Sequence, residues 1–217
     1  MFDAQRSTRS PLSRCARLVP WLLAGAWSCA YAGGGPLGID VEWSLDQNGI
    51  WARKYQTGLE YSVVAVEIGG AVWLGNEDLL GHTFWQSTDA TAISALGAQA
   101  LKYAFSRARP DQGDNPNAWF QGHGNQSFPS GEVTLQASFV TPFIVQYAHS
   151  HPWVWSLELL PLYDGIARLK SQAHWQTDVI AGWALGSGVA LWTTSFKTPV
   201  TVQVLPRGLS VGLYKHF

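Results

Sequence analysis

The stretch 167-ARLKSQAHWQTDVIAG-182 decides how the rest of the chain is read. Its apolar spacing predicts a helix over 173–195, with His174 and Asp178 one turn apart on one face. There the carboxylate can accept a hydrogen bond from one imidazole nitrogen. The other nitrogen is left free as a nucleophile or base. Arg168 lies just upstream. A lone His/Asp pair on a helix is more often structural, so the pair needs support from elsewhere.

Two upstream clusters supply it. In 127-SFPSGEVTLQ-136 a Pro-Ser-Gly turn opens onto a predicted helix over 130–149. Ser130 suits an N-cap, Gly131 lets the backbone approach a ligand, and free N–H groups at a helix start attract anions. A third cluster comes earlier: Lys102, then Arg109-Pro110. A helix predicted over 88–108, capped from Ser87, Thr88 or Asp89, would set both cations on one face, roughly 10 Å apart. Alone, the one is a routine helix start and the other a solvated basic edge.

Together the three motifs read Lys-x6-Arg-Pro, Pro-Ser-Gly and Arg-x5-His-x3-Asp, from Lys102 to Asp178. This pattern resembles the type 2 phosphatidic acid phosphatase superfamily, which also holds bacterial acid phosphatases and vanadium haloperoxidases. The resemblance implies an all-α helical bundle with the motifs meeting at one phosphate pocket. It implies that His174 attacks phosphorus, forming a phosphohistidine, while Asp178 holds the imidazole. Lys102, Arg109, Ser130, the Gly131 N–H and Arg168 would bind the phosphoryl oxygens. No metal and no cofactor is expected; phosphate or vanadate is the expected pocket ligand. Phosphoryl transfer asks mainly for positioning and charge stabilisation, which such a pocket provides.

Two positions depart from the family pattern. Ala167 replaces a serine. Glu132 replaces the histidine that protonates the leaving oxygen. An ionised Glu132 would repel phosphate, whereas a protonated one would serve as general acid. Burial favours the neutral form; the helix N-terminus and three cations oppose it. His123, in the long loop over 111–127, is an alternative donor. The leading expectation is a phosphatase acting on a phosphate monoester or lipid (pyro)phosphate. The alternatives are a phosphate- or headgroup-binding protein without turnover and, less favoured, a vanadium-dependent haloperoxidase.

The remaining sequence sets the context. Residues 1–32 carry four arginines, a short apolar run and Ala30-Tyr31-Ala32, and are expected to be a signal peptide. Residues 33–198 are expected to be the helical domain and 199–217 a short C-terminal β-hairpin. Cleavage would remove both cysteines, leaving no thiol chemistry. It would also remove four Arg and one Asp from a chain of net charge −1, leaving −4, which argues against a nucleic-acid partner. The expected location is periplasmic, with inner-membrane association as the alternative. The 12 tryptophans suit either a packed aromatic core or contact with a membrane surface. Further helices are expected over 153–170 and within the apolar run 61–75, the latter equally readable as a strand. Gly182 and Gly186, four apart, would let another helix come close.

Overall fold

The computed structural model describes residues 33–195, 200–205 and 208–213. The expected signal peptide lies outside the described residues.

Five α-helices carry the structure: α1 (Arg53–Leu74), α2 (Leu79–Phe105), α3 (Gly131–Tyr147), α4 (Leu159–Lys170) and α5 (Gln176–Thr193). The chain is therefore mostly helical. Val200–Leu205 (β1) and Gly208–Leu213 (β2) pair antiparallel, with Val200 opposite Leu213.

Helix α3 is the central element. Almost every residue from Val133 to Ile144 is buried, because α2, α4 and α5 pack around it. Small residues on its neighbours allow the close fit. On α2 the buried stripe is Thr83, Ser87, Ala90, Ser94 and Ala98, at helical spacing. On α5 a Cβ at Gly182 would lie 2.5 Å from the Ser130 carbonyl oxygen. One at Gly186 would lie 2.9 Å from the Ser138 amide and closer still to the Thr134 carbonyl. The glycine pair thus brings the α5 backbone onto the α3 backbone at the end that carries the Pro-Ser-Gly turn. At the other end Val63, Phe139, Val140, Phe143, Ile144 and Val154 form an apolar cluster. Phe84 meets Phe143 edge to face there, ring centroids 4.9 Å apart.

The run 61–75 is helical up to Leu74, inside α1, a helix that buries only Gln56, Val63, Glu67 and Ala71. Trp73, on its other side, is 89% exposed, as is much of Trp153, Trp155 and Trp192. Trp85 and Trp175 are buried. The tryptophans therefore divide between core and surface. No helix of the described residues is long and apolar enough to cross a membrane.

Several predicted boundaries move. Helix α2 begins at Leu79, not near 88, because Asp78 caps it by accepting from the Gly81 amide at 2.6 Å. Ser87, expected as a cap, is buried mid-helix and donates to Glu67 and the Phe139 carbonyl. Helix α2 also stops at Phe105, where Ser106 turns left-handed at φ 40°. Lys102 and Arg109 therefore do not share a helix face: the helix ends between them. Helix α3 runs through Pro142 to Tyr147. The stretch 153–170 is split, with a 3-10 turn over Pro152–Glu158 before α4. Helix α5 starts at Gln176, so His174 precedes it.

Candidate active site

The turn before α3 is tied down from three sides. The Ser130 amide donates to the Asp178 carbonyl at 3.0 Å. Lys102 Nζ donates to the Gln126 and Pro129 carbonyls at 2.8 and 2.6 Å. The Ser127 hydroxyl donates to Asp178 Oδ2 at 2.5 Å. The Phe128–Pro129 peptide is cis.

His174 faces this turn. It is 4% exposed, and its Nδ1 lies 2.7 Å from the Ser127 carbonyl oxygen. A carbonyl only accepts, so Nδ1 carries the proton and Nε2 keeps its lone pair. Burial lowers the His174 pKa well below the usual range, and Arg168, Lys102 and Arg109 push it in the same direction. The imidazole is therefore neutral at pH 7, with a free nitrogen in a cationic field.

The same field shows that the cations converge. Burial lowers Lys102 to about 8, helped by Arg109 and Arg168. Arg168 is lowered first by burial, with Arg53 and Arg109 adding to the shift. Arg109 thus acts on all three groups although it lies outside α2. Gly131 stands beside this cluster, since a Cβ there would be 3.6 Å from Lys102 Cε. The Ser130 hydroxyl and Arg168 Nε are buried and have no hydrogen-bond partner among the described residues. Buried donors left unpaired are costly, and an oxyanion would satisfy both.

Asp178 does not hold the imidazole directly, as was expected from a shared helix face. Its Oδ2 is 3.9 Å from His174 Nδ1, beyond hydrogen-bond reach. Because α5 starts at Gln176, the carboxylate instead caps its own helix, accepting from the Trp175 amide at 2.9 Å. It also accepts from Arg107 Nη1 at 2.6 Å and from the Ser127 hydroxyl. Burial raises its pKa on balance, with Arg107 and Ser127 opposing the shift. Asp178 thus reaches His174 through Ser127: it fixes the residue whose carbonyl orients the ring.

Arg107 is the fastener behind the site, and nothing in the motifs pointed to it. Fully buried, it spans Asp178 and Asp40, each at 2.6 Å, and also reaches Thr177 and the Pro116 carbonyl. Trp119 lies over its guanidinium, 4.4 Å away. Asp40 lies in the segment ahead of α1, bridged to Gly34, and also accepts from the Thr177 amide at 2.8 Å. Only the fold brings these partners together, over about 70 and 140 residues of chain.

Glu132 sits in the first turn of α3, where an acid was expected, but it is engaged. Arg53 grips it with a hydrogen bond from Nη1 to Oε2 at 2.8 Å and an ion pair between Nη2 and Oε1 at 2.7 Å. Arg168 Nη1 is 3.7 Å from Oε1. Burial raises the Glu132 pKa, but the two guanidiniums outweigh it and the net shift is downward. Arg53, the first residue of α1, belongs to none of the motifs, so the sequence did not point to this partner. His123 is exposed in its loop.

The PAP2 superfamily model matches residues 85–201, more than half of the chain, and the chain belongs to that superfamily. It is 31% identical over 103 residues to a lipid A 1-phosphatase of Porphyromonas gingivalis, covering 46% of this chain and 21% of the relative. A lipid A 1-phosphatase of Rhizobium johnstonii is 35% identical over 106 residues, covering 46% and 42%. An undecaprenyl-diphosphatase of Sulfolobus acidocaldarius is 25% identical over 119 residues, covering 54% and 56%. The chain thus spans between about a fifth and just over half of the length of these relatives. No solved structure matches it.

Proposed function

We propose that this chain is an exported phosphatase acting on a lipid phosphate or pyrophosphate, with other phosphate monoesters as accessible substrates. One observation carries the reading: a neutral His174 with a free Nε2 lies in the field of Lys102, Arg109 and Arg168, beside the unpaired Ser130 hydroxyl and Arg168 Nε. In this reading the phosphoryl oxygens take up the unpaired donors and the three cations offset their charge. His174 Nε2 attacks phosphorus, a P–N bond forms, and the bond to the leaving oxygen breaks. Water then attacks phosphorus and releases phosphate. The names of the relatives favour a lipid substrate. The exposed tryptophans suit work at a membrane surface, and the signal-like start supports export.

The test is hydrolysis of an aryl phosphate, whose leaving oxygen hardly needs a proton, by the parent chain and by His174→Ala. Activity in the parent, its loss in the variant, and an acid-labile phosphoryl label on His174 are expected. Hydrolysis that survives in His174→Ala overturns the assignment.

A second reading rests on Glu132. Held ionised by Arg53, it offers no proton to an alkyl leaving group. A chain that binds phosphate but turns over neither aryl nor alkyl esters would be a binding protein.

A further inference from the structure

The held state of Glu132 leaves the phosphatase reading without a proton donor, and the supply for one lies directly behind it. Asp164, on α4, is completely buried. Neither of its oxygens has a hydrogen-bond partner among the described residues. The Glu132 carboxyl faces it from α3, where a Cβ on the adjoining Gly165 would meet Val133, the neighbour of Glu132, at 3.8 Å. Two carboxyl groups held close together away from water do not both ionise, so one of them keeps a proton. An ionised, unpartnered carboxylate in that position would be very costly.

We propose that Asp164 and Glu132 form a carboxyl pair holding one proton, and that this proton is delivered through Glu132 to the leaving oxygen of the substrate. The proposal rests on the phosphatase reading.

The groups around the pair determine which carboxyl holds the proton at rest. Asp164 faces Glu132 from α3, Arg53 and Glu60 from α1, and Arg168 one turn along its own helix. Burial raises its pKa to about 8, and Glu132 adds to the shift. Glu132 is lowered by Arg53 and Arg168. At rest, therefore, Asp164 is neutral and Glu132 ionised. The pair carries a single negative charge, which the two arginines offset. This explains how an acid can occupy the mouth of a phosphate pocket without repelling phosphate outright.

Substrate reverses the preference. Arg168 is both a pocket cation and a partner of Glu132. A phosphate dianion that engages Arg168 takes attraction away from Glu132 and adds a repelling charge beside it. Both effects raise the proton affinity of Glu132. The proton moves from Asp164 Oδ to Glu132 Oε, and from there to the leaving oxygen as its bond to phosphorus breaks. The water that next attacks the phosphohistidine gives its proton to the pair and restores it. Asp164 touches no substrate; it is a positioning residue that acts through Glu132.

The experiment uses the full chain, Asp164→Asn and Glu132→Gln, on an alkyl and an aryl phosphate across pH 5 to 10. Infrared spectra of the same samples are followed in the carbonyl region of neutral carboxylic acids. Expected is a neutral-carboxyl band at pH 7 that fades above about 8 and is missing in Asp164→Asn. Also expected is an alkyl-to-aryl rate ratio that falls about 100-fold in each variant. In the parent the ratio should decline above about pH 8, and in Asp164→Asn it should be flat. No band in a folded parent, or a ratio unchanged in Asp164→Asn, overturns the proposal while leaving the phosphatase reading intact. A parent silent on both esters overturns that reading and the delivery step with it. Should Asp164→Asn fail to fold, the parent's band and the ratio in Glu132→Gln decide, and an unchanged ratio there is equally fatal.

Discussion

His174 donates from Nδ1 to the main-chain carbonyl of Ser127 at 2.7 Å, while Asp178 stands 3.9 Å away and binds the Ser127 hydroxyl instead. Orientation of the ring therefore passes through one serine, whose carbonyl serves the histidine and whose hydroxyl serves the aspartate. Ser127→Ala removes only the second contact. A hydrogen bond to a charged group contributes about 1.5–3 kcal/mol, so a stability loss of that size is expected. Turnover should fall far less than the several orders of magnitude expected for His174→Ala. Denaturant titration and steady-state rates on an aryl phosphate check both. Equal activity losses would mean that the hydroxyl, not the carbonyl, controls the ring.

Arg107 offsets two buried carboxylates at once, Asp40 and Asp178, all three fully inaccessible. Arg107→Met leaves both without their cation. Breaking a buried pair in this way costs about 3–5 kcal/mol. Denaturant midpoints should fall accordingly. Adding Asp40→Asn to Arg107→Met should restore part of the loss, because one of the stranded charges is gone. If the double variant is no better than the single one, the penalty arises from lost packing of the guanidinium against Trp119.

Lys102 gives the pocket a pH limit. Burial and its cationic neighbours lower it to about 8, so it is charged below that pH and neutral above. Affinity for inorganic phosphate should therefore drop as pH rises through about 8, although phosphate itself stays dianionic. Lys102→Arg should move the drop to higher pH, since a guanidinium does not deprotonate in this range. Calorimetric titration at pH 6, 7, 8 and 9 measures it. Flat affinity in the parent would remove Lys102 from the binding site.

The motif residues were legible because their spacing within each cluster is local. Lys102, Arg109 and Arg168 all bear on His174, and Ser130 and Gly131 stand at the turn that Lys102 holds. What spacing could not convey was the state of the chain between them. A left-handed Ser106 ends α2 before Arg109, and α5 begins only after His174. Both relationships assumed to lie along a helix turned out to be made by loops. The partners of Glu132 and Asp178 were illegible for another reason. Arg53, Asp40 and Arg107 carry no motif, and Asp164 looks like any helical acid. Their significance comes from burial, which depends on tertiary packing that composition does not reveal. Gly182 and Gly186 are the converse case, where a four-residue interval alone implied the close approach that α3 and α5 make.

That approach yields the most discriminating set of substitutions. A Cβ at Gly182 would press on the Ser130 carbonyl at 2.5 Å, and one at Gly186 on the α3 backbone at Thr134 and Ser138. Backbone atoms cannot rotate away, so the helices must part, at a cost of about 1–3 kcal/mol. Gly188, two residues on, is exposed and has no atom within 4 Å of an added Cβ. There alanine should stabilise by about 0.5–1 kcal/mol through helix propensity. The two buried sites should differ in function. Gly182 backs the turn that presents Ser130, so Gly182→Ala should weaken phosphate binding as well as stability. Gly186 lies one turn deeper, and Gly186→Ala should lower stability with a smaller effect on binding. Thermal melts with and without saturating phosphate separate the two. If Gly186→Ala loses as much phosphate protection as Gly182→Ala, the phosphate turn and the bundle core respond as one unit, and the turn is not positioned by the local contact at Gly182.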